Sequence, residues 1–412
     1  MSVGKPTVLV VIGTRPEGVK LAPVVDALGR KADVIECRVA LTGQHSDLMD
    51  QVIETFDIRP QWDLEVMREG QSLYDVVGDC LVGLREVLSE CRPDLVLAQG
   101  DTASVFTAGL VTFFERSHLG HVEAGLRSRD KWRPWPEEIF RRLTGVVADL
   151  HFAPTPGAAD NLLKEGVSPD AIHVTGNTVV DALLRVAGQP HEPTNPALRD
   201  ALSDGRRLVL VTAHRRESFG APLREAFSAI RELTDRYPDI DVLYPVHPNP
   251  NVTEAAAEVL SGHPRIRLTQ PLDYLDLVTA LRRATLAITD SGGIQEEAPT
   301  FETPVLVLRD VTERPEGVQA GIAAVVGTDR ERILSHATDI LDAKEGQGWR
   351  ALHRRLHTAA EADAATDAGL REPDIGYPNP YGDGRAGERI ADIVVHRLTG
   401  RPRETEDWSG PA

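Results

Sequence analysis

The chain has few cysteines and no long apolar run. It contains three cysteines among 412 residues, an odd number without a CxxC pair. This usage fits neither a disulfide framework nor a zinc site, and it favours a reduced, cytoplasmic protein. The longest apolar stretches fall short of the roughly 18 residues of a membrane helix, and the N-terminus lacks the apolar core of a secretory leader. We therefore expect a cytoplasmic protein with no membrane segment and no metal.

Positive charge is also scarce. The chain carries 45 Lys and Arg against 63 Asp and Glu, a net charge of −18. Nonspecific nucleic-acid binding needs a basic face, so we expect no nucleic-acid partner. An anionic small ligand remains compatible, because a few arginines and helix N-termini can form a local positive pocket.

Short apolar runs alternate with amphipathic segments along the chain. The first run, residues 8–12, precedes a turn and a helix, and a similar unit begins at residue 95. A polar, proline-containing stretch over 189–206 interrupts this pattern, which then restarts. The alternation predicts an α/β fold with two Rossmann-like, doubly wound domains at about 1–188 and 206–378 that face a cleft.

A glycine turn follows one of these runs in the second half. Ser291, Gly292 and Gly293 stand between an apolar strand and a helix start. Backbone N–H groups at such a start favour phosphate, although an ordinary strand-to-helix turn would look the same. Glu296 or Glu297, expected in the first turn of that helix, would suit a ribose diol.

Several basic side chains are also predicted at strand ends. Arg15, Lys20 and Arg314 would suit phosphate there, although each alone is more often a surface charge. His214 could bind phosphate or carry a proton, or it could simply hydrogen-bond turn backbone. His247 is a weaker candidate of the same kind.

Three carboxylates in the first half are the candidate acids. Asp101, Glu123 and Glu137 each lie beside a predicted turn or strand end. A lone carboxylate there is usually a helix cap, and this interpretation stays open. Apolar or aromatic neighbours such as Val122 and Trp135 would raise carboxyl pKa values and suit acid–base chemistry. Together with the glycine turn, the acids predict proton chemistry on an anionic ligand.

Two sequence patterns resemble binding motifs, but the residues around them exclude that interpretation. A GxGxxG pattern at 382–387 follows a proline-rich turn rather than an apolar strand, so it is not a dinucleotide fingerprint. His353 and His357 have the spacing of a helical metal pair, but they lie in a polar, alanine-rich stretch that predicts a solvated face. The sequence therefore predicts neither a dinucleotide cofactor nor a metal.

Taken in order, these segments resemble the non-hydrolysing UDP-N-acetylglucosamine 2-epimerase family. The matching motifs lie at 13–17, 43–45, 100–102, 121–127, 134–138, 175–178, 214–218, 245–250, 289–299, 309–316 and 379–384. Motifs in this order over nearly the whole chain are far more specific than any single one of them.

The resemblance implies a fold, a reaction and a set of residues. The fold is the glycosyltransferase-B arrangement, in which the last helix, at about 384–400, packs back on the first domain. The resemblance also implies a homodimer. The reaction converts UDP-N-acetylglucosamine to UDP-N-acetylmannosamine without a cofactor, by eliminating UDP to 2-acetamidoglucal and adding it back. The implied catalytic residues are Asp101, Glu123, Glu137 and His214. The implied substrate-binding residues are Arg15, Lys20, Ser291, Gly292, Gly293, Glu297 and Arg314. We expect Glu123 and Asp101 to exchange the C2 proton, with Glu137 assisting.

The chain also departs from the family pattern. The family's allosteric UDP-N-acetylglucosamine site is matched by Gln44, His45, Arg215 and His247. Asp47 and Gly70 differ from it, so allosteric activation stays open. A segment at about 344–377 is longer than the pattern, and we expect it to be disordered or an exposed helix. The tail at 401–412 is also expected to be disordered.

Other functions remain compatible with these residues. The substrate could be a modified UDP-sugar of the 2,3-diacetamido uronate type, because nothing in the sequence fixes contacts to C3 and C6. A hydrolysing epimerase would release N-acetylmannosamine and UDP. A glycosyltransferase of the same architecture would need an acceptor, and a nucleotide-sugar sensor would need no catalytic acids.

Overall fold

Two parallel sheets form the framework of the computed structural model, which describes residues 4–43, 47–68, 70–344, 346–356 and 379–410. The chain divides into two compact units, the first comprising 1–184 with 381–412 and the second 185–380. Each sheet has helices between its successive strands. The predicted α/β class with two doubly wound, Rossmann-like sheets is confirmed.

The first unit contains a sheet of seven strands within the described residues. They are Thr7–Ile12 (β1), Glu36–Leu41 (β2), Trp62–Asp63 (β3), Leu95–Gln99 (β4), His118–Val122 (β5), Leu150–Ala153 (β6) and Ile172–Val174 (β7). Their order is β3-β2-β1-β4-β5-β6-β7, and all pairs are parallel. Strands β1 and β4 read as continuous apolar runs because helices cover both faces of such a sheet.

Eight described helices belong wholly or mainly to this unit. They are Arg15–Gly29 (α1), Asp47–Phe56 (α2), Leu73–Cys91 (α3), Ala103–Phe114 (α4), Glu137–Val147 (α5), Pro156–Lys164 (α6), Thr178–Ala187 (α7) and, near the C-terminus, Ala386–Thr399 (α16). Helix α16 packs on α1, where a Cβ at Gly387 would lie 2.7 Å from the carbonyl oxygen of Pro23. Glycine is therefore required for this close approach of the two backbones.

The prediction that the tail is disordered is wrong for residues 401–410. The Trp408 N–H donates to the Val174 carbonyl at 2.7 Å, and the Trp408 side chain is buried. The carboxylate of Asp392 on α16 accepts from the N–H groups of Glu404 and Thr405. A polar composition suggested disorder, but one buried aromatic and a carboxylate acceptor are enough to hold the tail on the first unit.

The second unit contains a sheet of six strands among the described residues. They are Arg207–Thr212 (β8), Ile240–Pro245 (β9), Ile266–Thr269 (β10), Ala284–Thr289 (β11), Val305–Val307 (β12) and Ala323–Val325 (β13). The order is β10-β9-β8-β11-β12-β13, again fully parallel. The described helices are Pro196–Ser203 (α8), Ala221–Arg236 (α9), Pro250–Leu260 (α10), Tyr274–Arg283 (α11), Gly292–Glu297 (α12), Pro315–Gln319 (α13), Arg330–Leu341 (α14) and Gly348–Leu356 (α15).

The start of the long 344–377 segment is packed rather than exposed. Helix α15 lies against α14, and its Leu352 side chain is fully buried in the core of the second unit. A Cβ at Gly348 would lie 2.9 Å from the side chain of Ile340, which shows how closely α15 approaches α14. Residues 357–378 lie outside the described part of the chain, and the prediction for them stays a prediction.

Both sheets reverse their strand order at one point. In the first unit the chain proceeds outward in opposite directions from β1 and β4, and in the second from β8 and β11. Loops at the carboxyl ends of such a strand pair diverge, and they leave a crevice in which open α/β sheets bind ligands. Asp101 comes shortly after β4 and His214 shortly after β8, whereas Glu123 follows the neighbouring strand β5.

Candidate active site

The ends of β4 and β5 bring two of the predicted acids to neighbouring positions in the first unit. Strand β4 continues into Gly100 and Asp101, and β5 continues into Glu123. The Gly100 N–H donates to the Val122 carbonyl at 3.0 Å, which ties the two strand ends together. Asp101 and Glu123 therefore lie on adjacent loops at the carboxyl edge of one sheet.

Glu123 is held by two donors from different elements. Lys20 of α1 donates to Oε2 at 2.7 Å, and the Gln99 amide donates to the same oxygen. Both members of the Lys20–Glu123 pair are about nine-tenths buried. The backbone of Glu123 is left-handed, with φ at 64°, an uncommon conformation that turns the chain sharply after β5. Opposite charge and an amide donor stabilise the ionised carboxylate.

Asp101 is paired with a different cation. Arg141 of α5 donates to Asp101 Oδ2 through Nε at 3.0 Å and through a second guanidinium nitrogen. The same guanidinium donates to Glu138 at 3.2 Å, and Glu138 is fully buried. Glu138 also accepts from the N–H groups of Ser128 and Arg129, which fixes the loop after Glu123. Glu137 begins α5, one helical turn before Arg141.

Two buried histidines lie behind this edge of the sheet. His121 on β5 and His151 on β6 are register partners, and each is 1% exposed. His121 donates from Nε2 to the Gly100 carbonyl at 2.7 Å, so Nε2 carries the proton. Burial lowers the pKa of each imidazole to about 4. Both rings are therefore neutral near pH 7.

Acid should destabilise the fold through these two rings. An unfolded histidine binds a proton near pH 6.5, whereas the folded rings stay neutral down to about pH 4, so stability falls as pH drops across this window. The loss is expected to reach about 3 kcal/mol per ring.

Burial raises the pKa of Glu17 and Asp181 to about 7, and these carboxyls act in the opposite direction. Urea unfolding of wild type and His151→Asn between pH 7 and 4.5 measures the contribution of His151 to the pH dependence of stability. A stability difference between the two that does not change with pH would contradict it.

In the second unit, Asp290 at the end of β11 organises the predicted histidine. Its Oδ2 accepts from the N–H groups of His214 at 2.6 Å and Arg215 at 2.8 Å, and the His214 Nδ1 lies 3.2 Å from Oδ1. Burial lowers the pKa of His214, although the Asp290 charge opposes this. The His214 ring stacks on His247, with centroids 5.4 Å apart. His214, His247 and Asp290, which follow β8, β9 and β11, therefore form one cluster of side chains.

The glycine turn lies beside a buried arginine. Gly292 begins α12, and a Cβ there would lie 2.5 Å from the Arg314 guanidinium. Arg314 donates to Glu296 and to Glu313 at 2.6 Å each. Because α12 starts at Gly292, Glu296 and Glu297 fall in its second turn, and their predicted first-turn position is wrong. Glu296 is engaged by Arg314.

The remaining predicted residues are accounted for as follows. Arg15 is the first residue of α1, Ser291 is the N-cap of α12, and Gly293 and Glu297 lie within α12. Of the candidate allosteric residues, Arg215 and His247 lie beside His214, whereas Gln44 and His45 fall outside the described residues.

Sequence reasoning missed Gln99, Arg141 and Asp290. Gln99 directly precedes the motif at 100–102 and Asp290 lies within the motif at 289–299, so their strand-end position was an available signal. The sequence gives a weaker indication for Arg141, because a cation one turn after Glu137 and Glu138 commonly forms an ordinary ion pair on an exposed helix face. Its burial depends on the approach of α5 to the β4 loop, which only the tertiary structure shows.

Several known proteins are similar to this chain in sequence and in fold. A family model described as UDP-N-acetylglucosamine 2-epimerase matches residues 26–395. The Yersinia pestis UDP-N-acetylglucosamine 2-epimerase is 45% identical over 95% of this chain and 99% of its own length. The S. aureus MnaA–UDP structure has 39% identity and a TM-score of 0.85, covering 98% of this chain and 100% of that one. The Neisseria meningitidis UDP-GlcNAc 2-epimerase bound to UDP-GlcNAc has 36% identity and a TM-score of 0.82, covering 96% and 100%.

Proposed function

The chain belongs to the UDP-N-acetylglucosamine 2-epimerase family, and we propose that it interconverts UDP-N-acetylglucosamine and UDP-N-acetylmannosamine without net hydrolysis. The observation that carries this proposal is the pair of carboxylates on adjacent strand ends, each with its own cation: Glu123 with Lys20, and Asp101 with Arg141. Epimerisation at C2 requires one group to remove a proton and another to return one.

The reaction is an elimination followed by an addition. A carboxylate takes the C2 proton, the C–H electrons form the C1–C2 double bond, and the C1–O electrons leave with UDP. The 2-acetamidoglucal then regains UDP at C1 while a second acid delivers a proton to the opposite face of C2. We assign the proton exchange to Glu123 and Asp101, with Glu137 assisting from the start of α5. One turnover swaps the protonation states of the two acids, and exchange with solvent resets them.

Nucleotide binding is assigned to residues within the second unit. The turn at Ser291, Gly292 and Gly293 presents backbone N–H groups suited to a diphosphate. His214 is held by Asp290 in a position where its ring can donate to phosphate. Glu297 is assigned to the ribose, and Arg314 supplies positive charge. Arg15 and Lys20 lie on α1 of the first unit, and their binding of substrate stays a prediction from the sequence.

Proton NMR of the purified protein with UDP-N-acetylglucosamine in D2O tests the proposal, without added NAD or metal. We expect UDP-N-acetylmannosamine signals to grow with deuterium at C2. Free N-acetylmannosamine with UDP would identify a hydrolysing enzyme, and an unchanged spectrum would contradict this substrate. If the spectrum is unchanged, the same NMR experiment with a UDP-linked 2,3-diacetamido uronate would test the modified-sugar alternative.

We also propose that the enzyme acts in the cytoplasm. All three cysteines, Cys37, Cys80 and Cys91, are free, which suits a reducing compartment. Among the described helices none is both long and apolar enough to cross a bilayer.

A homodimer is proposed from the family resemblance and from an exposed apolar surface on α4 and α5. Phe113 and Phe114 of α4 are 61% and 59% exposed, and Val146 of the adjoining α5 is 81% exposed. Clustered apolar side chains of this size mark interaction surfaces.

Val146→Glu is therefore expected to convert a dimer to a monomer at micromolar concentration, because it places a charge on the exposed apolar face of α5. Sedimentation equilibrium measures the mass, and Leu163→Glu on α6 is the matched exposed control, expected to remain dimeric. A monomeric wild type, or a dimeric Val146→Glu, would contradict the assignment.

A further inference from the structure

One buried carboxylate joins the starts of two helices in the first unit. Glu17 is the third residue of α1, and its Oε2 accepts from the N–H groups of Gly13 at 2.5 Å and Thr14 at 3.2 Å. Its Oε1 accepts from the Thr102 hydroxyl at 2.6 Å, a contact between residues 85 positions apart. Thr102 is the N-cap of α4 and also accepts from the Val105 N–H. One hydrogen bond thus links the cap of α4 to the capping carboxylate of α1.

Each end of this link adjoins a residue of the proposed active site. Asp101 directly precedes Thr102, and Arg15 begins α1 two residues before Glu17. We propose that Glu17 is a positioning residue of the epimerase, which fixes the Asp101 loop relative to the start of α1 through the Thr102 hydroxyl. This inference rests on the proposed function for its catalytic consequence, whereas the link itself is a property of the fold.

Helix capping alone does not account for the arrangement. A capping box needs only the contacts to the N-cap backbone, which an exposed carboxylate can make. Glu17 is instead 3% exposed, and burying a carboxylate is costly unless its oxygens are satisfied. The β1–α1 turn also abuts α4, since a Cβ at Gly13 would lie 2.3 Å from Ser104 Oγ. The burial of Glu17 therefore serves the junction of the two loops.

The charge of Glu17 gives this link a measurable signature. Burial raises its pKa to about 7, while the hydrogen bonds from Thr102, Gly13 and Thr14 oppose the rise. Below that pH the protonated carboxyl carries its own O–H donor and loses acceptor capacity, which weakens the link. Among the described residues, Cys80 on α3 interacts electrostatically with Glu17, and burial raises the pKa of its thiol. Asp101, paired with Arg141, directly precedes Thr102, and the cations Arg15 and Lys20 lie on α1 with Glu17.

Kinetics of matched threonine variants test the positioning role. Thr102→Val removes the hydroxyl, and we expect kcat for epimerisation to fall at least tenfold with KM changed less than threefold. Thr102→Ser keeps the hydroxyl and should stay within twofold of wild type. Thr155→Val removes the analogous cap of α6, where the Thr155 hydroxyl accepts from Ala158 N–H, and controls for cap loss. A kcat for Thr102→Val within twofold of Thr155→Val would overturn the proposal.

The carboxylate is tested separately. Glu17→Gln imitates the neutral form, so we expect a lowered kcat that no longer declines as pH falls from 8 to 6. A wild-type pH profile in this variant would overturn the role of Glu17.

Hydrogen exchange tests the link without relying on activity. Thr102→Val should speed amide exchange in residues 13–18 severalfold, and Thr155→Val should not. If wild type fails to epimerise, the proposed function fails, and this measurement still decides the link. Unchanged exchange at 13–18 would reject it.

Discussion

Replacing Glu123 by glutamine is expected to lower kcat for epimerisation about 1,000-fold, within the range for loss of a general acid–base group. The amide has the same shape and can still accept from Lys20, but it cannot take the C2 proton. Deuterium incorporation at C2 should stop with the loss of turnover. Binding of UDP should change less than threefold, because the nucleotide contacts are assigned to other residues. NMR exchange and calorimetry measure the two quantities.

Controls separate this effect from a general loss of carboxylate charge. Glu115→Gln at the exposed end of α4 should stay within twofold of wild type. Asp101→Asn should resemble Glu123→Gln if the two acids share the proton exchange. Continued C2 exchange in the Asp101→Asn, Glu123→Gln double variant would disprove the assignment of both.

Loss of Arg141 should have the largest effect on stability. Arg141→Met leaves the fully buried carboxylate of Glu138 without its cation, although two backbone N–H groups still donate to it. Breaking a buried ion pair from one side costs about 3 kcal/mol or more. The substitution also removes the guanidinium from Asp101, so kcat should fall at least tenfold. Urea unfolding and steady-state kinetics measure the two losses.

A double variant distinguishes the two roles of Arg141. Glu138→Gln added to Arg141→Met removes the stranded charge and should recover part of the lost stability, but kcat should stay low because Asp101 still lacks its partner. Arg142→Met on the same helix is the exposed control and should stay within about 0.5 kcal/mol of wild type. An Arg141→Met protein no less stable than Arg142→Met would refute the argument.

The strand-end positions of the acids could be predicted from sequence alone. The apolar run before Gly100 predicts a buried parallel strand that ends beside Asp101, whereas the segment before Glu123 contains two histidines and is a weaker strand signal. The pairing of Glu123 with Lys20 could not be predicted in the same way. These residues are 103 positions apart, and their contact depends on the place of β1 in the strand order.

The wrong predictions have local causes. The first-turn position predicted for Glu296 or Glu297 assumes that the helix begins after the glycine turn, whereas α12 begins at Gly292. The burial of Glu296 with Arg314 is not visible in the sequence. The prediction for the tail rests on average composition, whereas the buried Trp408 and the Asp392 carboxylate hold the tail in place. Gln99 is not distinguished in the sequence, because an uncharged amide at the end of a strand is common and has many structural roles.

The first unit is completed by the last residues of the chain, and this sets a constraint on biosynthesis. The Asp181 carboxylate accepts from the N–H groups of Ala386 and Gly387, and Val174 receives the Trp408 N–H. A ribosome delivers these donors only after the whole second unit has been translated. The acid-bearing unit can therefore reach its final state only after the second unit has been translated. A nascent chain stalled before residue 386 would present α1 and β7 without these partners, and we expect it to need protection from aggregation in that interval.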